Sequence, residues 1–402
     1  MAIGAISRPQ VTTDPQDTSL DWPTGIADQQ PPWDGRDLVR DVHRFLRSRP
    51  PLVSLAAVDF LRSILVRVVA GEILVLQAGD CAENLADTGD EVVSRKVELF
   101  RTLADIMSRN TGRPVIIVGR IGGQFAKPRS NATEIVDGRE LPVYRGALVN
   151  GPQATPSARR ADPARLLDGY LAARSITETL GNPLDACPTS GKVAAVWTSH
   201  EALVLDYEVP FVRQLEGRTY LGSTHWPWIG ERTRRPDGAH VELLSRVVNP
   251  VACKVGPTAT PAELIALCRR LDPARQPGRL TFISRIGAKW VHERLPGLVR
   301  AVAGEGYPVI WMCDPMHGNT RKCGVDDRKV RLISDVNLEI DRFTDAVASV
   351  GGLPGGLHLE TTPDPVLECA DRHEAQPLRG TSLCDPRLNR RQASAVVARW
   401  RP

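Results

Sequence analysis

From Ile73 onward, short apolar runs alternate with helical segments eight times over, and few architectures accommodate that rhythm. The runs lie at 73–78, 114–119, 193–198, 219–224, 250–255, 280–284, 308–312 and 356–359. Helical patterns fall between them at about 91–109, 163–180, 200–208, 238–247, 261–271, 288–303 and 327–349, with a last one at 389–400. Continuously apolar, β-branched strands such as Pro114–Val118 are those of parallel sheets covered by helices on both faces. Eight strand–helix units predict an α/β fold, a parallel (β/α)8 barrel, although a doubly wound sheet has the same local rhythm. Unusual residues follow nearly every run, as they must if eight loops converge on one mouth, and this favours the barrel.

Ahead of the alternation, residues 1 to 30 carry Pro, Gln, Thr and Asp without an apolar period and read as a mobile or surface-draped arm. Leu38, Val42 and Leu46 then mark one helix and Ala56–Val69 a second. The expected organisation is an arm and helical extension over 1–70 and a catalytic barrel over 71–402. The net charge of +4 is spread in short clusters and aromatics are 5 %, which argues against a nucleic-acid partner. The first residues lack the order of a signal peptide. The most apolar window, Leu52–Leu76, is broken by Asp59, Arg62, Arg67 and Glu72, so no membrane span is expected. Eight cysteines, dispersed without a CxxC pair, suit a reducing cytoplasm.

Charge gathers after the runs. Gly119–Ser130, GRIGGQFAKPRS, brings Arg120, Lys127 and Arg129 to the end of the second strand, with Gly122 and Gly123 free to approach a ligand or take positive φ. The blander reading is a solvated basic loop tied to surface acids. Arg232 follows the fourth run and Arg285 the sixth; both suit bidentate phosphate contacts, and six cations at strand ends suffice for two phosphorylated substrates. Lys254, inside the fifth run, requires a bound anion or a carboxylate such as Glu231. Cys81, His317, Glu360 and Asp385 stand in loops at the two ends of the barrel sequence. If they share a mouth, a thiolate, an imidazole and two carboxylates can hold a divalent ion, and the mixed set fits Mn²⁺, Co²⁺, Fe²⁺ or Zn²⁺ better than Mg²⁺. Asp314, His358 and Glu83 are alternative ligands or partners of ligands.

The strings QAGDCAE, GRIGGQFAKPRS, WTSHEALVLDYE, WIGERTR with DGAH, NPVACKVGP, ISRIG, CDPMHGNT, GLHLE and CDPRLN resemble, in order, the class II 3-deoxy-D-arabino-heptulosonate 7-phosphate (DAHP) synthases. The resemblance implies a (β/α)8 barrel that condenses phosphoenolpyruvate with erythrose 4-phosphate and water, giving DAHP and phosphate. It implies Cys81, His317, Glu360 and Asp385 as metal ligands, with Mn²⁺ or Co²⁺ foremost. Arg120, Glu231, Arg232, Lys254 and Arg285 would surround phosphoenolpyruvate with Lys127 beside it, and Arg129 and Ser130 would take the aldose phosphate. Lys127 or His317 would relay protons. Larger members carry extra helices between the second and third strands that form an aromatic amino-acid effector site; here the chain runs from the helix near 163–180 directly to Val193, so that site is expected to be absent. In this the sequence resembles most the compact phenazine-pathway, secondary-metabolism branch. A homodimer is expected. Cys384, next to Asp385, is a candidate for an oxidative disulfide with Cys81. Two readings compete: an amino-DAHP synthase using an imino sugar phosphate, and a non-catalytic metabolite-binding scaffold.

Overall fold

The computed structural model describes residues 23–185, 195–322, 329–370 and 385–402. Eight parallel strands form the barrel wall: β1 (Leu74–Gly79), β2 (Val115–Arg120), β3 (Val196–Thr198), β4 (Trp228–Ile229), β5 (Val251–Val255), β6 (Leu280–Ser284), β7 (Ile310–Cys313) and β8 (Pro354–Glu360). They neighbour one another in the order β3-β2-β1-β8-β7-β6-β5-β4. The ring closes between β4 and the extension of β3: Glu201 bridges Trp228, the Trp228 amide donates to the His200 carbonyl at 3.0 Å, and the Ala202 amide donates to the Trp228 carbonyl at 2.9 Å. The doubly wound alternative is thereby excluded.

Nine helices of seven residues or more accompany these strands among the described residues: α1 (Arg36–Arg47), α2 (Leu55–Val69), α3 (Asp90–Thr111), α4 (Arg165–Leu180), α5 (Ala239–Ser245), α6 (Pro261–Leu271), α7 (Val291–Gly304), α8 (Ile333–Ala348) and α9 (Arg390–Val397). Their starts are written locally. Thr260 and Glu263 form a reciprocal capping box at α6, with Pro261 at the first turn, and Asn389 with Gln392 does the same at α9. Only Leu205–Glu208 is helical in the connection expected at 200–208.

The strand expected at 219–224 is not in the barrel. Arg218–Leu221 pairs antiparallel with Val212–Leu215 in a hairpin, and the two-residue β4 takes the fourth position. Tyr220 and Leu221 are buried all the same, so their apolar character does not distinguish hairpin from barrel. A second hairpin, Thr133–Val136 with Arg139–Pro142, follows the GRIGGQFAKPRS loop.

Period-2 alternation divides the wall. Leu74, Leu76 and Ala78 of β1 face the layer shared with the helices, whereas Val75 joins an interior cluster with Val118, Trp197, Trp228, Ala252, Ile283 and Met312. Ala57, Leu61, Leu65 and Val68 of α2 belong to that interior cluster, so α2 plugs the amino-terminal end of the barrel. The other end is left open to chemistry.

Candidate active site

Inward-facing positions change character along each strand. On β1 they run Val75, Gln77, Gly79; on β2, Val118, Arg120; on β5, Ala252, Lys254; on β8, Gly356, His358, Glu360. The floor is apolar and the mouth is charged. Gly79 pairs with Glu360 on one side and Arg120 on the other, and a Cβ there would lie 2.5 Å from the Arg120 carbonyl oxygen. Arg120 Nη2 reaches Glu360 Oε1 at 3.0 Å across the strand.

Cys81, Glu360 and Asp385 converge: one ligand atom from each lies within 4.8 Å of the other two, and all three residues are buried. The Lys127 ammonium stands among them, 2.6 Å from Cys81 Sγ, 2.7 Å from Asp385 Oδ2 and 3.7 Å from Glu360 Oε1. Asp385 is brought in from the far end of the chain by backbone pairing, since the Leu388 amide donates to the Glu360 carbonyl at 2.9 Å. Arg387 reinforces this by bridging Asp80, the neighbour of Cys81, at 2.6 Å and Glu368 at 2.9 Å. The Asp385 amide itself donates to Cys81 Sγ at 3.1 Å. Burial would raise the Glu360 and Asp385 carboxyls, but the cations outweigh it. His317, Lys127 and Arg331 hold Glu360 well below the usual carboxylate range, and Lys127, Arg331 and Lys329 do the same for Asp385.

His317 stands against this cluster with Nε2 3.1 Å from Glu360 Oε1. Its Nδ1 is 2.7 Å from Asp314 Oδ2, a carboxylate–imidazole contact that fixes the ring's orientation. Asp314 is also the partner of Lys254, at 2.9 Å, where the sequence pointed to a bound anion or a carboxylate such as Glu231. Glu231 instead accepts from the Gly256 amide at 2.6 Å and from Arg234 at 3.2 Å. Asp314 wins because it ends the strand two places along the wall and needs no loop to reach Lys254. Arg285 Nη2 donates to the His317 carbonyl at 3.3 Å. His358 accepts from Arg120 through Nε2, so its Nδ1–H donates to Gln77 Oε1 at 2.6 Å. Burial, with Lys254 and Arg120 nearby, holds that imidazole well below its ordinary pKa, in keeping with a neutral ring.

The glycine turn after β2 behaves differently from expectation. Its amides at Gly122, Gly123 and Gln124 donate to the Glu83 carboxylate at 3.0, 3.0 and 2.8 Å, so the turn's anion is part of the protein. Gly122 has φ 74°, and a Cβ on Gly123 would fall 2.0 Å from His200 Nδ1, which explains both glycines. Farther out, Arg129 pairs with Glu134 at 3.0 Å, and Arg232 Nη2 donates to Ser130 Oγ at 2.8 Å. All the residues singled out from sequence therefore lie at the carboxyl ends of the strands or in the loops beyond them. Cys384 lies outside the described residues.

Three cations escaped sequence reading. Arg331, fully buried, holds Glu360 Oε2 at 2.6 Å; Lys329 holds Asp385 Oδ1 at 2.5 Å; Arg387 is described above. Lys329 and Arg331 stand in a short strand, Lys329–Leu332, in a stretch that reads as the start of a helix. The alternation Lys-Val-Arg-Leu was the available signal.

The donors fit a transition ion by their chemistry. Cys81 Sγ and the Glu360 and Asp385 carboxylates form a mixed soft and hard set, with the His317 imidazole beside Glu360, and the protein's own cations keep both acids ionised.

The profile described as "Class-II DAHP synthetase family" matches residues 17–186 and 177–399. A "Probable phospho-2-dehydro-3-deoxyheptonate aldolase" of Pseudomonas fluorescens is 51 % identical over 381 residues, covering 93 % of this chain and 94 % of the relative. A phospho-2-dehydro-3-deoxyheptonate aldolase of Streptomyces coelicolor is 38 % identical over 427 residues, covering 92 % and 94 %, and one of Mycolicibacterium smegmatis 34 % over 423, covering 91 % and 90 %.

Proposed function

Because this chain belongs to the class-II DAHP synthetase family, we propose that its barrel mouth joins phosphoenolpyruvate to erythrose 4-phosphate, with the roles divided among the residues described above. The enzyme is a transferase, a 3-deoxy-7-phosphoheptulonate synthase. The observation that carries the division of roles is the meeting of Cys81, Glu360 and Asp385 beside His317, with cations on every side.

Arg120, Lys254, Arg285 and Arg232 hold the phosphate and carboxylate of phosphoenolpyruvate, Glu231 orients the loop between them, and Arg129 with Ser130 takes the sugar phosphate. Two anions held in fixed register present C3 of the enol to the aldehyde carbon, and that positioning supplies several kcal/mol of the barrier. Cys81, His317, Glu360 and Asp385 would hold a divalent ion, which would supply Lewis acidity toward the aldehyde when bound. Lys127, whose ammonium contacts Cys81 and Asp385, or His317 gives the aldehyde oxygen its proton as the carbon–carbon bond forms. Water adds at C2, and the hemiketal phosphate expels inorganic phosphate. Phosphate release from the two substrates with Mn²⁺ or Co²⁺ is the expected result, abolished by EDTA and restored by either metal. Release that persists after complete metal removal would refute metal dependence. The mass of the sugar product separates erythrose 4-phosphate from an imino analogue.

The compact build supports a further part of the proposal, that the enzyme lacks an aromatic amino-acid effector site and serves secondary metabolism. The alignment to the Streptomyces relative spans 427 residues, more than this whole chain of 402, whereas that to the Pseudomonas relative spans 381. Helix α4 ends at Leu180 and β3 begins at Val196, leaving little length for additional helices. Turnover is expected to be unchanged by millimolar tryptophan or phenylalanine; strong inhibition by either would overturn this part.

A further inference from the structure

A strap formed by residues 23–35 follows one side of the barrel rim, tied to the segments after β4, β3 and β2. The amides of Thr24 and Gly25 donate to Glu242 Oε2 at 2.9 and 3.1 Å, and Ile26 bridges Gly238. Farther along, Gln30 accepts from the Leu205 amide at 2.9 Å and donates to the Leu203 carbonyl at 2.9 Å, while Trp33 Nε1 donates to Asp206 at 2.7 Å. Between these anchors stands Gln29, with φ 63°.

That left-handed conformation is rare for a residue with a long side chain and persists where the surroundings over-determine it. Asp137, Glu216 and Arg275 also have positive φ; Asp137 and Glu216 each occupy a two-residue hairpin turn followed by glycine, where the turn geometry requires it, and Arg275 lies in the connection between α6 and β6. Gln29 joins no pair of strands. What its conformation achieves is to send consecutive side chains to different loops: Gln30 to the segment after β3, and Gln29 to the KPRS turn. Gln29 Oε1 accepts the Arg129 amide at 2.8 Å, and the Gln29 carbonyl accepts Arg145 Nη1 at 3.3 Å. The Arg129 guanidinium is directed by Glu134, and Ser130 Oγ by Arg232, so the backbone carrying both is held from the strap.

We infer that Gln29 is a positioning residue for the sugar-phosphate half of the site, fixing the turn that presents Arg129 and Ser130 and acting on the phosphoenolpyruvate half only through the Ser130–Arg232 contact. The inference rests on assigning Arg129 and Ser130 to the aldose phosphate. Of the residues assigned to phosphoenolpyruvate, Arg120, Lys254 and Arg285 stand apart from the turn and only Arg232 reaches it, through Ser130 at 2.8 Å, so the KM for erythrose 4-phosphate should move more than that for phosphoenolpyruvate.

The test is steady-state kinetics on the full metal-loaded enzyme. Gln29→Gly removes the acceptor while relieving the positive φ, so thermal stability is expected to hold or rise. Its KM for erythrose 4-phosphate should rise roughly three- to tenfold, as for one lost hydrogen bond. Its KM for phosphoenolpyruvate should stay within about twofold. Gln29→Glu keeps an acceptor oxygen and should restore most of the difference. Gln29→Gly with an unchanged KM for erythrose 4-phosphate, or with both constants raised equally, would overturn the inference. Arg129→Ala, run alongside, keeps the two levels apart. If it raises the KM for erythrose 4-phosphate and Gln29→Gly does not, only the role of Gln29 fails. If Arg129→Ala leaves that constant unchanged, the half-site assignment fails and the inference with it.

Discussion

Cys81→Ser should strip the enzyme of its metal and with it most of its turnover, at unchanged fold. Sulfur is the one soft donor in the cluster, and a serine hydroxyl, harder and far less readily deprotonated, replaces an anionic ligand by a neutral one. Loss of an outer partner of a metal ligand already costs about 10–100-fold in affinity, so loss of a direct donor is expected to exceed about 100-fold. The substitution is nearly isosteric, and the hydroxyl can still take the contacts with the Lys127 ammonium and the Asp385 amide that Cys81 Sγ makes at 2.6 and 3.1 Å. Metal content after dialysis and kcat at saturating substrates measure the effect. Cys253→Ser is the control: that thiol is fully buried on β5, pushed up by burial away from the thiolate form, and should cost stability without touching metal content. A Cys81→Ser protein that retains metal and turns over normally would remove Cys81 from the ligand set.

The barrel was legible because parallel strands buried on both faces are continuous apolar runs, and seven of the eight were found within a few residues of where they lie. The eighth failed for a physical reason. β4 is two residues long in Trp-Pro-Trp-Ile-Gly, and neither a two-residue ladder nor a proline lacking an amide leaves a period to detect. Tyr220 and Leu221, apolar and buried in a hairpin, supplied a better imitation of a strand than the strand itself. The site divides in the same way. A lysine within an apolar strand announces that something charged faces it, but which acid answers depends on wall order, and Asp314 on β7's end rather than Glu231 was the answer for Lys254. Contacts that join distant parts of the chain, such as Arg387 with Asp80 and Gln29 with Arg129, leave no local trace in either partner's neighbourhood.

Arg331→Met offers the sharpest test of how the mouth is held together. Arg331 and Glu360 are both fully buried and meet at 2.6 Å, with a further hydrogen bond from Arg331 Nε to Thr320 at 2.9 Å. Removing one member of such a pair leaves an uncompensated charge in a low-dielectric interior, which typically costs about 3–5 kcal/mol. Arg120 at 3.0 Å and Lys127 at 3.7 Å still face the other oxygen of Glu360, so the low end of that range is expected, read as a reduced denaturant midpoint at constant slope. Two further variants isolate the pair from the loss of packing. Glu360→Gln alone strands the Arg331 guanidinium, and the double variant, with neither charge, should be more stable than the sum of the single losses predicts by at least about 1 kcal/mol. Additive losses would mean that Arg331 acts through its contacts with Thr320 and the Pro386 carbonyl, and that Glu360 is held in place by Arg120, Lys127 and His317.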